Sequence, residues 1–384
     1  MTNDMTRGRI LPQLISFTIP LVLGNLFQLT YNAADSMIVG RYLGGQALAA
    51  VGTAGPIMNL AILFISGMCM GAGILMSTQY GAKQQDVLER QISTTLLSGL
   101  VFSFFVTLSM MVLAKPVLTL IRVPEEILDS ACGYLRIIFT GFLFTFAYNF
   151  FSSTLRALGD SKASLYFLVI SSVFNIAGDL LFVAVFRWGV NGSALATVLS
   201  QMICCLCCMI YIQKKVPLLR LGKRWLIFDK CLLSRTFSFG ITSALQLMCV
   251  QLGKVCVQSM VNMQGIAFMA AFTAVNRVDD FALTPQQNIA HAATTFMAQN
   301  KGAGQEKRMK QGFFCGVLVE LCYTAAVGSC VFLFAEPIMK LFLPEESAEV
   351  IVLGVTYLHL ISFLYLLSGS GNIVQGFFRG IGDL

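Results

Sequence analysis

A chain of 384 residues that is 56% hydrophobic and only 12% charged is too apolar for a soluble domain, where about a quarter of the residues carry charge. Its apolar residues come in long blocks, which excludes a membrane β-barrel with its alternating strands of about ten residues. The first block is too long for a secretory signal peptide and is followed by no small-residue cleavage site. The net charge of +7 reads as a topology signal and not as a nucleic-acid surface.

In chain order, ten blocks are long enough for a membrane-crossing helix of about 20 residues: 14–39, 47–75, 92–114, 131–153, 163–186, 191–213, 232–262, 266–298, 312–334 and 350–376. Several are longer than that, so tilt or kinks are expected. Span 1 carries Pro20 and Gly24, the expected hinge, and span 2 carries Pro56, another kink point. Span 1 continues as NLFQLTYNAADSM (25–37), where Asn25, Gln28, Tyr31, Asn32 and Asp35 fall near i, i+3, i+4, i+7 spacing and make one polar stripe.

Span 5 contains VFNIAGDLLF (173–182), with no charge but Asp179 between Ala163 and Phe186. A carboxylate at the bilayer centre costs roughly 2.5–3.5 kcal/mol on insertion scales, so it normally faces a polar cavity or a partner. Asn175, four residues earlier, shares its helix face. Span 6 offers Ser193, Thr197, Ser200 and Gln201. If spans 1, 5 and 6 surround a cavity, Asp35, Asn175, Asp179 and Thr197 form one cluster. Two acids brought together there repel, and the pair either holds a proton or binds a small cation among its oxygens. The alternative is that each Asp only bonds its neighbours and fixes helix packing.

Span 7 presents Gln246, Gln251 and Lys254. Span 8 contains NRVDDFALTPQQN (276–288), with Arg277, Asp279 and Asp280 and an expected bend at Pro285. These charges make either a local ion pair or a substrate contact, and Lys254 can neutralise an acid from span 7. Glu320, about two turns into span 9, is read as snorkelling to the interface. His291 and His359 receive no role. CCLCC (204–208) sits in an apolar helix without a second cluster and is read as small-residue packing.

Of the 26 Lys and Arg residues, 18 fall in the N-terminal segment and the even-numbered loops, and six on the other side. That split places the N-terminus in the cytoplasm. The basic stretch QKKVPLLRLGKRW (213–225) is read as a cytoplasmic linker within reach of anionic lipid heads.

The chain also repeats itself. AKPVLTLIRVPEE (114–126) returns as AEPIMKLFLPEE (335–346), QYGAKQQDVLERQ (79–91) as QNKGAGQEKRMKQ (299–311), GYLRI (133–137) as TYLHL (356–360), and LRALGD (155–160) as FRGIGD (378–383). Each complete unit has six spans, so both copies point the same way, related by a pseudo-two-fold axis along the membrane normal. The expected division is an N-terminal lobe at 1–213, a linker at 214–230 and a C-terminal lobe at 231–384. In the first copy about 53 residues follow LRALGD, forming spans five and six, whereas one residue follows FRGIGD. The expectation is therefore an all-α membrane protein of two six-helix repeats with ten full helices present and the last two missing.

These features together resemble the multidrug and toxic compound extrusion (MATE) transporters. The resemblance is carried by IPLVLGNLFQLTYNAADSMIVGRYLGGQALAAVG (19–52), QYGAKQQ (79–85), LRALGDSK (155–162), FNIAGDLLFV (174–183), GVNGSALATVLSQ (189–201) and NRVDDFALTPQQNIAHAATTFMAQNKGAGQ (276–305). It looks like the bacterial DinF-like branch, which implies cation coupling at Asp35, Asn175, Asp179 and Thr197. The resemblance further implies a two-lobe antiporter of the plasma (inner) membrane, monomeric and not an enzyme. Such a protein exports amphipathic, often cationic compounds in exchange for H⁺ or Na⁺ and needs no other cofactor. Gln28, Tyr31, Asn32, Gln246, Gln251, Lys254, Asp279 and Asp280 are the expected cavity residues. Span 7 has no acid, which departs from the sodium-site pattern of the other bacterial branch and tilts the reading toward H⁺. A flippase for a lipid-linked sugar is the alternative, and would want a more strongly cationic central cavity. An intramembrane aspartyl protease is disfavoured because GIGD (380–383) is the repeat of ALGD (157–160).

Overall fold

The computed structural model describes residues 4–217, 226–342 and 348–383. Most of the basic stretch at 213–225, and the end of the second PEE motif, lie outside them. The described residues form helices and no strand. The first helix, α1 (Ile10–Gly81), runs for 72 residues, about 108 Å at 1.5 Å per residue, too long for one crossing. It breaks at Gly44, whose φ of 80° and ψ of −177° suit glycine alone. Spans 1 and 2 are therefore two helices that meet at Gly44, the two legs of α1. The chain stays helical through Pro20, Gly24 and Pro56.

Then follow α2 (Gln85–Leu120), α3 (Glu125–Thr140) and α4 (Phe142–Ala157), the last two meeting at 47°. Span 4 is thus a broken span with its corner at Gly141. α5 (Ser161–Asp179) passes into a π-helical turn (Leu180–Val185), and α6 (Gly189–Lys215) completes the first half. The second half holds α7 (Lys230–Asn262), α8 (Ile266–Gly302), α9 (Glu306–Leu333), α10 (Ala335–Phe342) and α11 (Ala348–Ile381). Every predicted span falls in a helix. α8 is continuous through Pro285, so no break occurs there. The side chain of Asp229 starts α7 by accepting from the amides of Cys231 (2.9 Å) and Leu232 (3.2 Å), a cap of the usual kind.

Seven of these helices are long and apolar enough to cross a membrane, or eight if the bent pair is one span. This is a multi-pass membrane protein. α8 is not among the seven, since Arg277, Asp279 and Asp280 interrupt it. It packs against α1, α9 and α11, which bury most of its length.

Apolar side chains gather in separate cores. One belongs to α1–α6 and is rich in rings, among them Phe139, Phe142, Phe146 and Phe150. A second belongs to α8–α11. A third joins the halves at the end where α1 starts, the N-side: Leu14, Phe17 and Leu21 pack on Ala292, Phe296 and Met297. Nearby, Arg308 donates to the carbonyls of Met5 and Gly8 and to Gln13, and Gln299 Nε2 donates to the Ala157 carbonyl at 2.8 Å.

Glycines let the halves touch backbone to backbone. A Cβ on Gly67 would lie 2.4 Å from Ala244 Cα, and one on Gly71 would lie 2.5 Å from Gly240 N. The two small-xxx-small pairs face each other, the pattern that lets membrane helices approach. Gly71→Val should overpack this seam and cost about 1–3 kcal/mol, seen as a lower unfolding midpoint of the detergent-solubilised protein. An unchanged midpoint would mean the contact is not tight.

Candidate functional site

Helices α5 and α6 meet through small residues. A Cβ on Gly178 would lie 2.9 Å from Ala196 Cβ, and one on Gly192 3.1 Å from Phe182. That approach sets their chain neighbours, Asp179 and Ser193, toward each other. Asp179 also ends the regular part of α5, where the π-helical turn begins. Such turns often occur at functional sites.

Four of the predicted residues come together here. Ser193 Oγ donates to Asp35 Oδ1 at 2.9 Å, and Asn175 Nδ2 donates to Thr197 Oγ1 at 3.2 Å. Asp179 is fully buried and faces the Asp35 carboxyl and the Ser193 hydroxyl. The Asp35 carboxyl and Ser193 hydroxyl lie close enough to interact with it, yet neither of its oxygens accepts a hydrogen bond of good geometry, and Asn175 Oδ1 likewise has no partner. Three buried acceptors on one helix face thus lack a donor. Unmet acceptors are costly in an apolar interior, and a proton or a small cation is what they lack. Tyr134 of α3, also buried, faces both acids. Neither Ser193 nor Tyr134 stood out in the sequence as a site residue; the GYLRI repeat containing Tyr134 was the available signal.

A cavity of about 350 Å³ lies beside this cluster, between the two halves. Pro20, Gly24, Gln28 and Tyr31 line it from α1, joined by Tyr148, Arg156, Gln201, Asn288 and His291. Tyr31 is one helical turn from Asp35, so it links cavity and cluster. Asn25 Nδ2 donates to Asn288 Oδ1 at 3.2 Å across the halves.

The remaining predicted cavity residues lie elsewhere. Asn32, Gln251 and Lys254 are exposed and do not line the cavity. Lys254 pairs with Asp280 at 3.8 Å in an exposed contact, worth little in itself. Asp279 is buried and accepts from Tyr365 Oη at 2.5 Å. Gln246 Oε1 accepts from Arg379 Nη2 at 2.6 Å. Arg277 is exposed and makes no ion pair among the described residues. Among the described residues no group of three potential metal ligands occurs, and the CCLCC cysteines are free.

Glu320 corrects the sequence reading. It does not snorkel: it is fully buried, and neither carboxyl oxygen has a partner. It faces α11 at Gly369, where an added Cβ would come within 2.8 Å of Glu320 Oε1. A position two turns into a helix does not reveal which neighbour crosses there. Because an unpartnered buried polar group costs about 1–3 kcal/mol, Glu320→Leu should raise stability by that order in thermal unfolding. A drop instead would mean that the carboxyl is held by a partner.

Known proteins share this architecture. The family model MatE matches residues 20–181 and 242–384. The chain is 33% identical over 387 residues to the probable multidrug resistance protein YpnP of Bacillus subtilis, covering 99% of this chain and 85% of the relative. It is 30% identical over 391 residues to YoeA of the same organism, also a probable multidrug resistance protein, covering 100% and 84%. It matches the outward-facing conformation of a multidrug resistance MATE family transporter with a TM-score of 0.91 at 22% identity, over 99% of this chain and 84% of that one. That last likeness speaks for the fold.

Repeated membrane helices around buried acids and a central cavity define a polytopic transporter. The chain belongs to the MatE family, whose members are transporters and not enzymes.

Proposed function

We propose that this chain is a secondary antiporter that exports small amphipathic molecules, drugs among them, against an inward flow of cations. The reading places it in the bacterial inner membrane as a monomer, with the N-terminus cytoplasmic as the 18-to-6 distribution of basic residues argues. Its two lobes are 1–213 and 231–384. The names of its relatives YpnP and YoeA support drug efflux.

One observation carries the coupling: Asp179, buried, unpartnered and facing Asp35. Asp35, Asn175, Asp179 and Thr197, with Ser193, form the cation site. A proton suits it best, because one proton on the acid pair removes the repulsion and supplies a missing donor. Sodium would need several oxygens converging at coordination distance.

Protonation changes what Asp35 and Asp179 bond to. Tyr31, one turn from Asp35, passes that change to the cavity along α1. Pro20 removes one backbone hydrogen bond from α1, and with Gly24 it marks the place where this leg can bend. The N-side seam closes one end of the cavity while the cargo leaves by the other. Cation and cargo then compete through a shared conformational equilibrium, and each must weaken the other's hold equally.

Asp179→Asn in proteoliposomes should bring dye efflux driven by a proton gradient down to the protein-free rate, with the unfolding midpoint retained. Efflux at the wild-type rate would remove Asp179 from the coupling site.

A further inference from the structure

The charge of the cavity is one-sided. Among the described residues no Asp or Glu lines it; its charged side chain is Arg156 from the first half, and the imidazole of His291 lines it from the second. Arg156 Nη1 donates to Ser152 Oγ at 2.7 Å, and the guanidinium makes no ion pair among the described residues. A guanidinium has five N–H donors, so most remain unmet. Charges taken out of water are normally paired, and this one opens on an empty space without a carboxylate.

The repeat supplies an internal comparison. LRALGD and FRGIGD lie 223 residues apart, which makes Arg379 the counterpart of Arg156 and Gln375 the counterpart of Ser152. Arg379 is buried and its terminal nitrogens are engaged, although its Nε has no partner. Its Nη2 donates to Gln375 Oε1 at 3.0 Å and to Gln246 Oε1 at 2.6 Å, and its Nη1 lies 3.6 Å from Met70 Sδ. In the second half, then, two amide oxygens answer the arginine, one of them four residues earlier on the same helix. In the first half that position holds a serine, which is shorter and meets one donor. The space that a glutamine would fill belongs to the cavity, and Ser152 lines it.

From this we infer that the cavity takes amphipathic organic anions, whose carboxylate or sulfonate group is bound by Arg156. Guanidinium and carboxylate match in geometry and pair with strong charge-assisted hydrogen bonds. Phe17, Leu21, Leu165 and Leu168 line the same space and receive the apolar body. An organic cation in this place would meet the guanidinium and no acid. Asp35 and Asp179 face each other outside the cavity lining, Asp279 is taken by Tyr365, and Asp280 by Lys254. The inference rests on the reading of this cavity as the cargo site.

Equilibrium dialysis of the detergent-purified full chain against carboxyfluorescein, an anion, and rhodamine 6G, a cation, tests it. The wild type should bind carboxyfluorescein more tightly. Arg156→Gln should weaken that binding about tenfold or more, while rhodamine 6G binds no worse. Should Arg156→Gln fail to fold, Ser152→Gln keeps the arginine and transplants the cap of Arg379, with the same expected loss. Tighter binding of rhodamine 6G, no binding of carboxyfluorescein to folded wild type, or full carboxyfluorescein affinity in a folded variant would overturn the inference. Dialysis involves no gradient, so a protein that binds the anion but does not pump it would count against the antiport reading and leave this one standing.

Discussion

Helices in a bilayer gain little by burying apolar surface against each other, because lipid tails are as apolar as leucine. They hold together by close approach and by hydrogen bonds that lipid cannot offer. In this chain that constraint is met where the second leg of α1 crosses α7, with Gly67 and Gly71 against Ala244 and Gly240. Further along the same leg, Gly81 and Thr78 pack on Gln299 and Gly302 with backbone against backbone. This seam, with the Arg308 and Gln299 hydrogen bonds, draws the two halves together at the N-side. The cavity lined by Tyr31, Arg156 and His291 lies between the halves because they meet there.

The same scarcity of water makes each interior charge informative. Asp279 is answered by a tyrosine hydroxyl and Arg379 by two amide oxygens. Among the described residues, the carboxyls of Asp179 and Glu320 have no partner in good geometry, and Arg156 meets a single hydroxyl. Asp179 faces a second acid and a hydroxyl, a setting that can take up a cation. Arg156 faces an open cavity, a setting that can take up an anion. Glu320 faces the backbone of Gly369 and does not line the cavity between the halves. N-terminal to these elements, burial pushes the Asp4 carboxyl up, but bonds from the Thr6 hydroxyl and amide and the charge of Arg7 outweigh it and hold it below the ordinary carboxylate range. The segment before α1 is thus locally ordered as well as tied to α9.

Much of this was legible in the sequence because lipid demands long apolar runs, and ten such runs fall in helices. The acid cluster was legible too: Asn175 and Asp179 share a face by spacing, and Asp35 ends a polar stripe. What spacing could not show was which helices cross, and where. The break between spans 1 and 2 falls at Gly44, in the gap the apolar blocks left between them. Pro20, Pro56 and Pro285 marked possible bends, and the helices run on through all three. Gln246 is taken up by Arg379, and Gln251 and Lys254 are exposed, so none of the three lines the cavity. Arg156 and Arg379 are identical in motif, and only their neighbours, a serine in one half and two glutamines in the other, set them apart.

The central claim is that export is driven by cations passing through the first half. The direct measurement is cargo efflux from proteoliposomes holding the full chain, under a proton gradient alone and then under a sodium gradient alone. The account predicts efflux that follows the proton gradient and stops when it is collapsed. Efflux that ignores both gradients would contradict it.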